Sequence, residues 1–329
     1  MKVLITGGTG FIGTRLALKC LEKGDKVRLL GQVNNAAEEG NRDLVERQGG
    51  EIVIGSVTDK DVIDKAIEGV EIVYHLAAAQ HEANVPDQHF WEVNVAGTRN
   101  LLEASRKDNV KRFVHGSTIG VYGAAMEGEI DEDTPLQPDN IYGITKREGE
   151  KLVLSYKDRL PVVIIRISET YGPGDRRLLK LLKAIDKKMF FMIGKGDNRH
   201  QLIFVDDLIE GLWLAAKNDE ALGQVFVLAG KEILTTNQMV ATIAKVLGVT
   251  QRKLRAPLWP FLITAVVMEN LLRPLHIQPP LHRRRMDFFK KSFCFSQDKS
   301  SSILKFEPKT SFEDGIVATA QWYKEHNYL

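Results

Sequence analysis

The apolar and polar positions change rhythm about halfway along the chain. In the first half, short apolar runs alternate with longer stretches whose apolar residues recur every three or four positions. The runs at 3–6, 26–30, 51–54, 72–75, 112–116 and 162–167 read as strands, and the segments 11–22, 59–67, 88–107 and 141–154 as helices. Strands alternating with amphipathic helices predict an α/β fold with a doubly wound parallel sheet and right-handed crossovers. From residue 171 the alternation loosens. A helix at 176–188, a strand at 190–193, a strand–helix unit at 202–205 and 206–217, and a strand at 225–228 are expected. Helices at 235–247, with Thr235 as N-cap, and at 312–324 complete the pattern. The division expected is a nucleotide-binding part, 1–170 plus about 199–228, and a smaller C-terminal substrate-binding lobe, 171–198 plus about 229–329.

The first strand runs directly into glycines. Lys2-Val-Leu-Ile-Thr6 is followed by Gly7-Gly-Thr-Gly10-Phe-Ile-Gly13 and then by an amphipathic helix. Glycines at 7, 10 and 13 suit a tight turn, a close backbone approach to a pyrophosphate, and close packing of helix on strand. Free amides at the helix start then face phosphate oxygens. The sheet is therefore read as Rossmann-type. Ligands of such sheets bind at the carboxyl ends of the strands. The glycine loop, the segment after His75, and Ser117-Thr118 all fall at such ends.

Tyr142-Gly-Ile-Thr-Lys146 lies in the helix expected at 141–154. Positions four apart share a helix face, so the phenol and the ammonium point the same way. A nearby positive charge favours phenolate. Such a phenol can act as general acid or base on an alcohol or ketone.

Bulk properties narrow the partners. The 329 residues, 43% of them hydrophobic, can bury a large core. A net charge of +2 gives no reason to expect nucleic acid. Two cysteines, Cys20 and Cys294, are too few for a disulfide framework and fit a reducing compartment. His81, His89, His115 and His200 have no metal spacing, and no metal is expected. The chain opens on its first strand, so no signal peptide is expected. The most apolar segment, 256–268, contains Pro257 and Pro260 and is followed by Glu269. It is shorter than the roughly 20 residues a spanning helix needs. A cytoplasmic protein without a transmembrane segment is the expectation.

Taken together, the motifs resemble the extended short-chain dehydrogenase/reductases of the NAD-dependent epimerase/dehydratase family, over essentially the whole length. Thr6-Gly-Gly-Thr-Gly-Phe-Ile-Gly13 is similar to its cofactor loop, and Gly55-Ser-Val-Thr-Asp59 to the segment whose Asp meets adenine. Val73-Tyr-His-Leu-Ala-Ala78 resembles the strand end lining the nicotinamide side, and Asn94-Val-Ala-Gly97 the structural Asn. Gly116-Ser-Thr-Ile-Gly-Val-Tyr-Gly123 resembles the strand carrying the catalytic hydroxyl, here Thr118 with Ser117 as competitor. Arg166-x-x-x-x-Tyr171-Gly-Pro173 and Phe204-Val-Asp-Asp207 complete the set. The resemblance implies hydride transfer at a secondary alcohol or ketone, with Thr118, Tyr142 and Lys146 as catalytic residues and Lys146 also on the nicotinamide ribose. It implies cofactor contacts from Gly7, Thr9, Gly10, Phe11, Ile12, Gly13, Gln32, Val57, Asp59, Leu76, Ala77, Ala78 and Asn94. It also implies a homodimer packed through 88–107 and 141–154. His75 and Tyr122 read as structural.

An acid after the second strand would hold a ribose 2′-hydroxyl, and an Arg a 2′-phosphate. Gly31-Gln32 meet neither rule, and Arg42 lies further on. The lean is to NAD, with NADP open. Three departures shape the substrate. The family's 4,6-dehydratases carry Asp-Glu after the catalytic Thr, but Ile119-Gly120 stand here, which argues against water elimination. Nucleotide-sugar epimerases carry Arg where Leu202 stands; Arg199 or His200 is the substitute, Arg176 and Arg177 are a second phosphate candidate, and Ser117 and Thr170 are further substrate contacts. The apolar stretch 257–275 precedes His282-Arg-Arg-Arg285 and Phe288-Phe-Lys-Lys291, either a substrate wall or basic surface near a membrane, or a core helix with a solvated basic strand. The leading expectation is a nucleotide-sugar epimerase or 4-ketoreductase. A hydroxysteroid- or dihydroflavonol-type reductase of an apolar ketone and a non-catalytic cofactor-binding subunit remain as alternatives.

Overall fold

A computed structural model describes residues 1–80, 85–123, 128–250, 254–272, 277, 279, 281 and 283–329, with backbone alone at 283 and 284. In its first half strand and helix alternate as expected: β1 (Lys2–Thr6), α1 (Phe11–Glu22), β2 (Lys26–Gly31), α2 (Ala36–Arg47), β3 (Glu51–Ile54), α3 (Lys60–Ile67) and β4 (Ile72–His75). Next come α4 (Asp87–Trp91), α5 (Thr98–Lys107), β5 (Arg112–Thr118), α6 (Ile141–Leu154) and β6 (Val162–Ile167). The second half holds β7 (Thr170–Tyr171), α7 (Leu179–Asp186), β8 (Met192–Ile193), β9 (Arg199–His200), β10 (Ile203–Phe204), α8 (Val205–Lys217), β11 (Val225–Leu228) and β12 (Leu234–Thr235). It ends with α9 (Thr236–Leu247), β13 (Arg255–Ala256), α10 (Leu258–Leu272), α11 (Arg283–Lys290), α12 (Asp298–Leu304) and α13 (Phe312–Glu325).

Seven strands form one parallel sheet in the order β11-β6-β5-β4-β1-β2-β3. The order reverses between β1 and β4, the switch point where doubly wound sheets open a crevice. Both faces are covered. Leu16, Ala17 and Cys20 of α1 and Leu208, Ile209 and Leu212 of α8 pack on one; Ile63 of α3, Leu101 and Leu102 of α5 and Val153 of α6 pack on the other. Burial on both sides explains why these strands read as apolar runs rather than alternating ones. A separate cluster joins α7, α9 and α13 through Leu182, Met239, Ile243 and Ile316.

The differences from expectation have local causes. Helix α2 was missed because only Val45 of its twelve residues is buried, so no apolar stripe marks it; Asn35 caps it. The helix expected at 88–107 is α4 and α5 joined by a π-helical turn, Glu92–Gly97. That wide turn carries Asn94 inward, and such turns often mark functional positions. The helix expected at 176–188 begins at Leu179, because Asp175 holds the Arg177 and Leu178 amides in a turn.

Candidate active site

The glycine loop leaves no room for side chains. Gly7 has φ +66°, and a Cβ there would stand 2.9 Å from the Ala77 nitrogen. A Cβ at Gly13 would meet the Gly7 carbonyl oxygen at 2.3 Å, and one at Gly10 the same oxygen at 3.2 Å. The chain can therefore fold this tightly only with glycine. Helices α2, α3, α6 and α13 are capped by Asn35, Asp59, Asn140 and Ser311. Gly10 gives α1 no side-chain cap, and no acid stands in its first turn. The start of α1, with Phe11 and Ile12, thus suits a bound anion. Thr9 is fixed from two sides: its hydroxyl donates to the Gln32 carbonyl at 2.8 Å, and Asn41 donates to its carbonyl at 2.8 Å. Leu76 and Ala77, leaving β4 toward Ala78, hang on Thr6 through the Leu76 amide on its carbonyl and the Ala77 amide on its hydroxyl. This cradle fits the diphosphate of a dinucleotide.

The candidate residues Thr118, Tyr142 and Lys146 come together where α6 lands on the end of β5. Asn140 caps α6 by accepting from the Gly143 amide at 3.0 Å. A Cβ at Gly143 would be 2.6 Å from the Gly120 carbonyl oxygen, so the first turn of α6 rests directly on the turn Ile119–Tyr122. Thr118 and Tyr142 border one point: a Cβ built on Gly120 would lie 3.4 Å from the Thr118 hydroxyl and 3.9 Å from the Tyr142 ring. Both are half-buried. Lys146, one turn on, is buried, and its Nζ donates to the Gly116 carbonyl at 2.6 Å. Burial pulls its pKa down to about 8, with Glu150 pulling the other way.

Behind this corner lies a buried ionic network. Ser117 donates to Glu150 at 2.5 Å, and Glu150 pairs with Arg166 at 3.0 Å. Arg166 also donates to the Tyr122 hydroxyl at 2.9 Å and to the Glu132 carbonyl at 2.8 Å, and Tyr122 donates to the Asp131 carbonyl. Burial pushes the Tyr122 phenol up to about 12, with Arg166 opposing. Ser117 is thus spent inside the protein, and Thr118 is the hydroxyl beside Tyr142. Glu150 went unremarked in the sequence. Its signal was its spacing, four residues after Lys146 on the face that carries Tyr142.

Two histidines lie under Lys146. Thr98 gives its hydroxyl hydrogen to the Asn94 carbonyl, so it accepts from His75 Nε2; His75 Nδ1 then accepts from Thr6. This tautomer is assigned from the network. His75 is packed as expected, and burial, with Lys146, drives its pKa down to about 3. His115 is fully buried, its pKa driven well down by burial and then by Lys146 and His75, and neither ring nitrogen has a partner among the described residues.

The remaining candidates divide. Asn94 is clamped to both backbone groups of Ala79 and to the Thr145 hydroxyl, so it positions the β4 end against α6. Asp59 caps α3 by accepting from Asp61 and Val62, and Val57 is buried against Gly97. Thr170 is buried with its hydroxyl on the Ser168 carbonyl, and Arg176 lies on Tyr328 near the carboxyl terminus. Thr170 is thereby held by the fold, whereas Arg176 is exposed. Arg199 remains exposed on β9. Among the described residues no three His, Cys, Asp or Glu could hold a metal, and His81 lies outside them.

The comparisons agree with this geometry. The family model of the NAD dependent epimerase/dehydratase family matches residues 3–229. An N-acetyl-alpha-D-glucosaminyl-diphospho-ditrans,octacis-undecaprenol 4-epimerase of Escherichia coli O157:H7 is 31% identical over 75% of this chain and 72% of its own. A dTDP-glucose 4,6-dehydratase of Streptomyces niveus is 28% identical over 99% of this chain and 94% of its own. The crystal structure of a UDP-glucuronic acid 4-epimerase from Bacillus cereus in complex with NAD superposes with TM-score 0.82, at 25% identity, covering 99% of each chain. With its glycine cradle, its parallel sheet and its Tyr-x-x-x-Lys helix set on the end of β5, the chain belongs to the NAD-dependent epimerase/dehydratase family.

Proposed function

We propose that the protein is an NAD-dependent nucleotide-sugar 4-epimerase or 4-ketoreductase. The observation that carries this reading is the meeting of Thr118, Tyr142 and Lys146 at the end of β5, on the same edge of the sheet as the glycine cradle. NAD, when bound, supplies the hydride acceptor and donor. Tyr142 moves the proton between its phenol oxygen and the hydroxyl oxygen of the substrate. Lys146 holds a positive charge one helical turn away in a buried place, which favours the phenolate. Thr118 accepts from the Gly120 amide at 3.1 Å, an arrangement that leaves its hydroxyl hydrogen for the substrate oxygen.

The surroundings favour this chemistry over its neighbours. Elimination of water needs an acid beside Thr118, and Ile119 there is apolar and buried. NAD is favoured over NADP because Arg42 is engaged by Asp43 at 2.6 Å and Glu39 at 3.6 Å, and Gly31 is pressed against Thr9. Leu202 packs in the cluster of α7, α9 and α13, away from any apolar substrate wall. The similarity to the E. coli and B. cereus 4-epimerases favours the 4-position of a diphosphate-linked sugar. In our reading residues 1–170 plus about 199–228 hold the cofactor and the rest form the substrate lobe. The protein works in the cytoplasm as a homodimer through α4, α5 and α6. Trp91, exposed on α4, is a side chain such a contact would cover.

The experiment is a thermal-shift screen with NAD, NADP and UDP-, GDP- and dTDP-sugars against steroids and flavonoids, followed by proton NMR of C4 inversion. A ligand of the folded state raises the melting temperature by mass action. Tyr142→Phe is expected to keep the NAD shift and to lower kcat roughly 10²–10⁴-fold. An unchanged kcat would remove Tyr142 from the proton transfer. A response to steroids with none to any nucleotide sugar would overturn the substrate class.

A further inference from the structure

Helix α10 is apolar around most of its circumference, with Thr264, Glu269 and Asn270 as its polar residues, a pattern that belongs in a core or in lipid. Only one side of it is packed. Leu258, Phe261, Leu262 and Ala265 fall on that side and meet Ile193, Met286 and Phe289. Trp259, Ile263, Val267 and Leu271 follow at four-residue spacing along the opposite side. They are 66%, 56%, 48% and 65% exposed. The surface extends past the start of the helix through Leu254, Phe191 and Met189, which are also exposed. Strand β13 pairs with β8, and the Phe191 ring lies 5.9 Å from that of Phe261, so these residues adjoin α10. At fifteen residues α10 is shorter than the roughly 20 that cross a bilayer, and among the described residues no helix is long and apolar enough to do so.

Charge indicates what covers this face. Residues 251–291 hold nine lysines and arginines against two acids, a net of +7. The whole chain carries +2, so the remainder carries −5. Exposed cations adjoin the apolar face along the chain: Lys187 and Lys188 beside Met189, and Arg255 before α10 with its guanidinium on the Lys195 carbonyl. An apolar face with Trp and basic residues around it is the chemistry of a helix that lies in a lipid interface, and a basic patch of this kind is drawn to anionic headgroups.

We propose that the α10 face docks the protein on the surface of an anionic phospholipid bilayer, with α10 lying in the interface. The docked lobe is tied to the catalytic helix. Lys291, just after α11, pairs with Asp139 at 2.6 Å, one residue before the Asn140 cap of the helix that carries Tyr142. Docking therefore holds at the membrane surface the lobe that touches the start of the Tyr142 helix. The inference stands apart from the substrate assignment, because it is read by lipid binding rather than by turnover.

The test is flotation of the full chain with vesicles of phosphatidylcholine alone and of phosphatidylcholine with phosphatidylglycerol, at low and high salt. Binding is expected to the anionic vesicles, weaker on neutral ones, and reduced by salt. The triple variant Trp259→Gln, Ile263→Gln, Leu271→Gln is expected to lose it about tenfold or more while keeping the parent's circular dichroism and melting temperature. Tryptophan emission of the parent is expected to shift to the blue on anionic vesicles, and that of Trp259→Phe is not. The proposal fails if anionic vesicles do not carry the protein, or if the triple variant floats as well as the parent. It fails equally if the variant turns a dimer into a monomer on sedimentation, since the face would then belong to a second copy.

Discussion

Glu150 and Trp259 occupy opposite kinds of environment. Glu150 is a charge with almost no access to water, met by Ser117 and by Nε and Nη2 of the Arg166 guanidinium. Trp259 is a large apolar ring two-thirds exposed to water, on the exposed side of α10. Each is costly in isolation: a buried charge must be paired, and an exposed apolar patch is rarely left uncovered. The catalytic corner meets its requirement within the chain. The α10 face does not, and the contrast separates what this protein does alone from what it does with a partner.

The sharpest break is expected at Glu150. Removing one member of a buried pair leaves the other charge uncompensated, a loss of about 3–5 kcal/mol. Glu150→Gln should therefore lower the denaturant midpoint strongly, because Arg166 keeps only Tyr122 and the Glu132 carbonyl as full acceptors. Leu271→Gln, on the exposed face, should leave it almost unchanged. Equal losses in the two variants would mean that α10 is packed in solution and that the contrast is wrong.

The next effect is catalytic. Gly143 carries no reactive atom, yet a methyl group there would stand 2.6 Å from the Gly120 carbonyl. Gly143→Ala must lift the first turn of α6 from the end of β5 and so part Tyr142 from Thr118. A displacement of about 1 Å at a catalytic group can cost roughly 10²-fold. The expected result is a kcat reduced by about that factor with the NAD thermal shift retained, since the glycine cradle lies on a different loop. A loss of cofactor binding instead would mean that the two loops move together.

This asymmetry also explains what the sequence disclosed. The strands, the glycine cradle and the Tyr142–Lys146 pair were legible because each rests on local spacing: two-sided burial makes apolar runs, and four residues make a helical face. Glu150 could have been read by the same rule. The Lys291–Asp139 tie could not, since 152 residues separate its ends and only the packing of α11 joins them. The substrate candidates were the least legible for a related reason. Thr170 and Ser117 are polar residues near strand ends, and nothing local says whether a hydroxyl faces a ligand or, as here, a carbonyl or carboxylate of the same chain. Helix α10 was legible as apolar but not as exposed, because burial depends on what the rest of the chain leaves uncovered.

The smallest effect is expected at His115, and it depends on pH. His75 and His115 are both held far below their ordinary pKa, His75 at about 3, by burial and by Lys146. An unfolded chain takes up protons on these rings near pH 6.5 while the folded one does not. Their contribution is therefore whole above that pH and is lost as pH falls toward the folded value. Between pH 7.5 and 5 each ring should cost about 2 kcal/mol of stability, before most carboxylates begin to titrate. His115→Phe separates this linkage from packing. The ring makes no hydrogen bond among the described residues, so replacing it with an apolar ring of similar shape should be nearly neutral at pH 7.5, where no partner is lost. At pH 5 the same variant should be more stable than the parent by about 2 kcal/mol. Matched denaturation curves at the two pH values read the difference directly. Equal slopes in parent and variant would show that His115 is answered by a buried water and can take up its proton inside the fold. The corner around Lys146 would then be less dry than its pKa of about 8 implies.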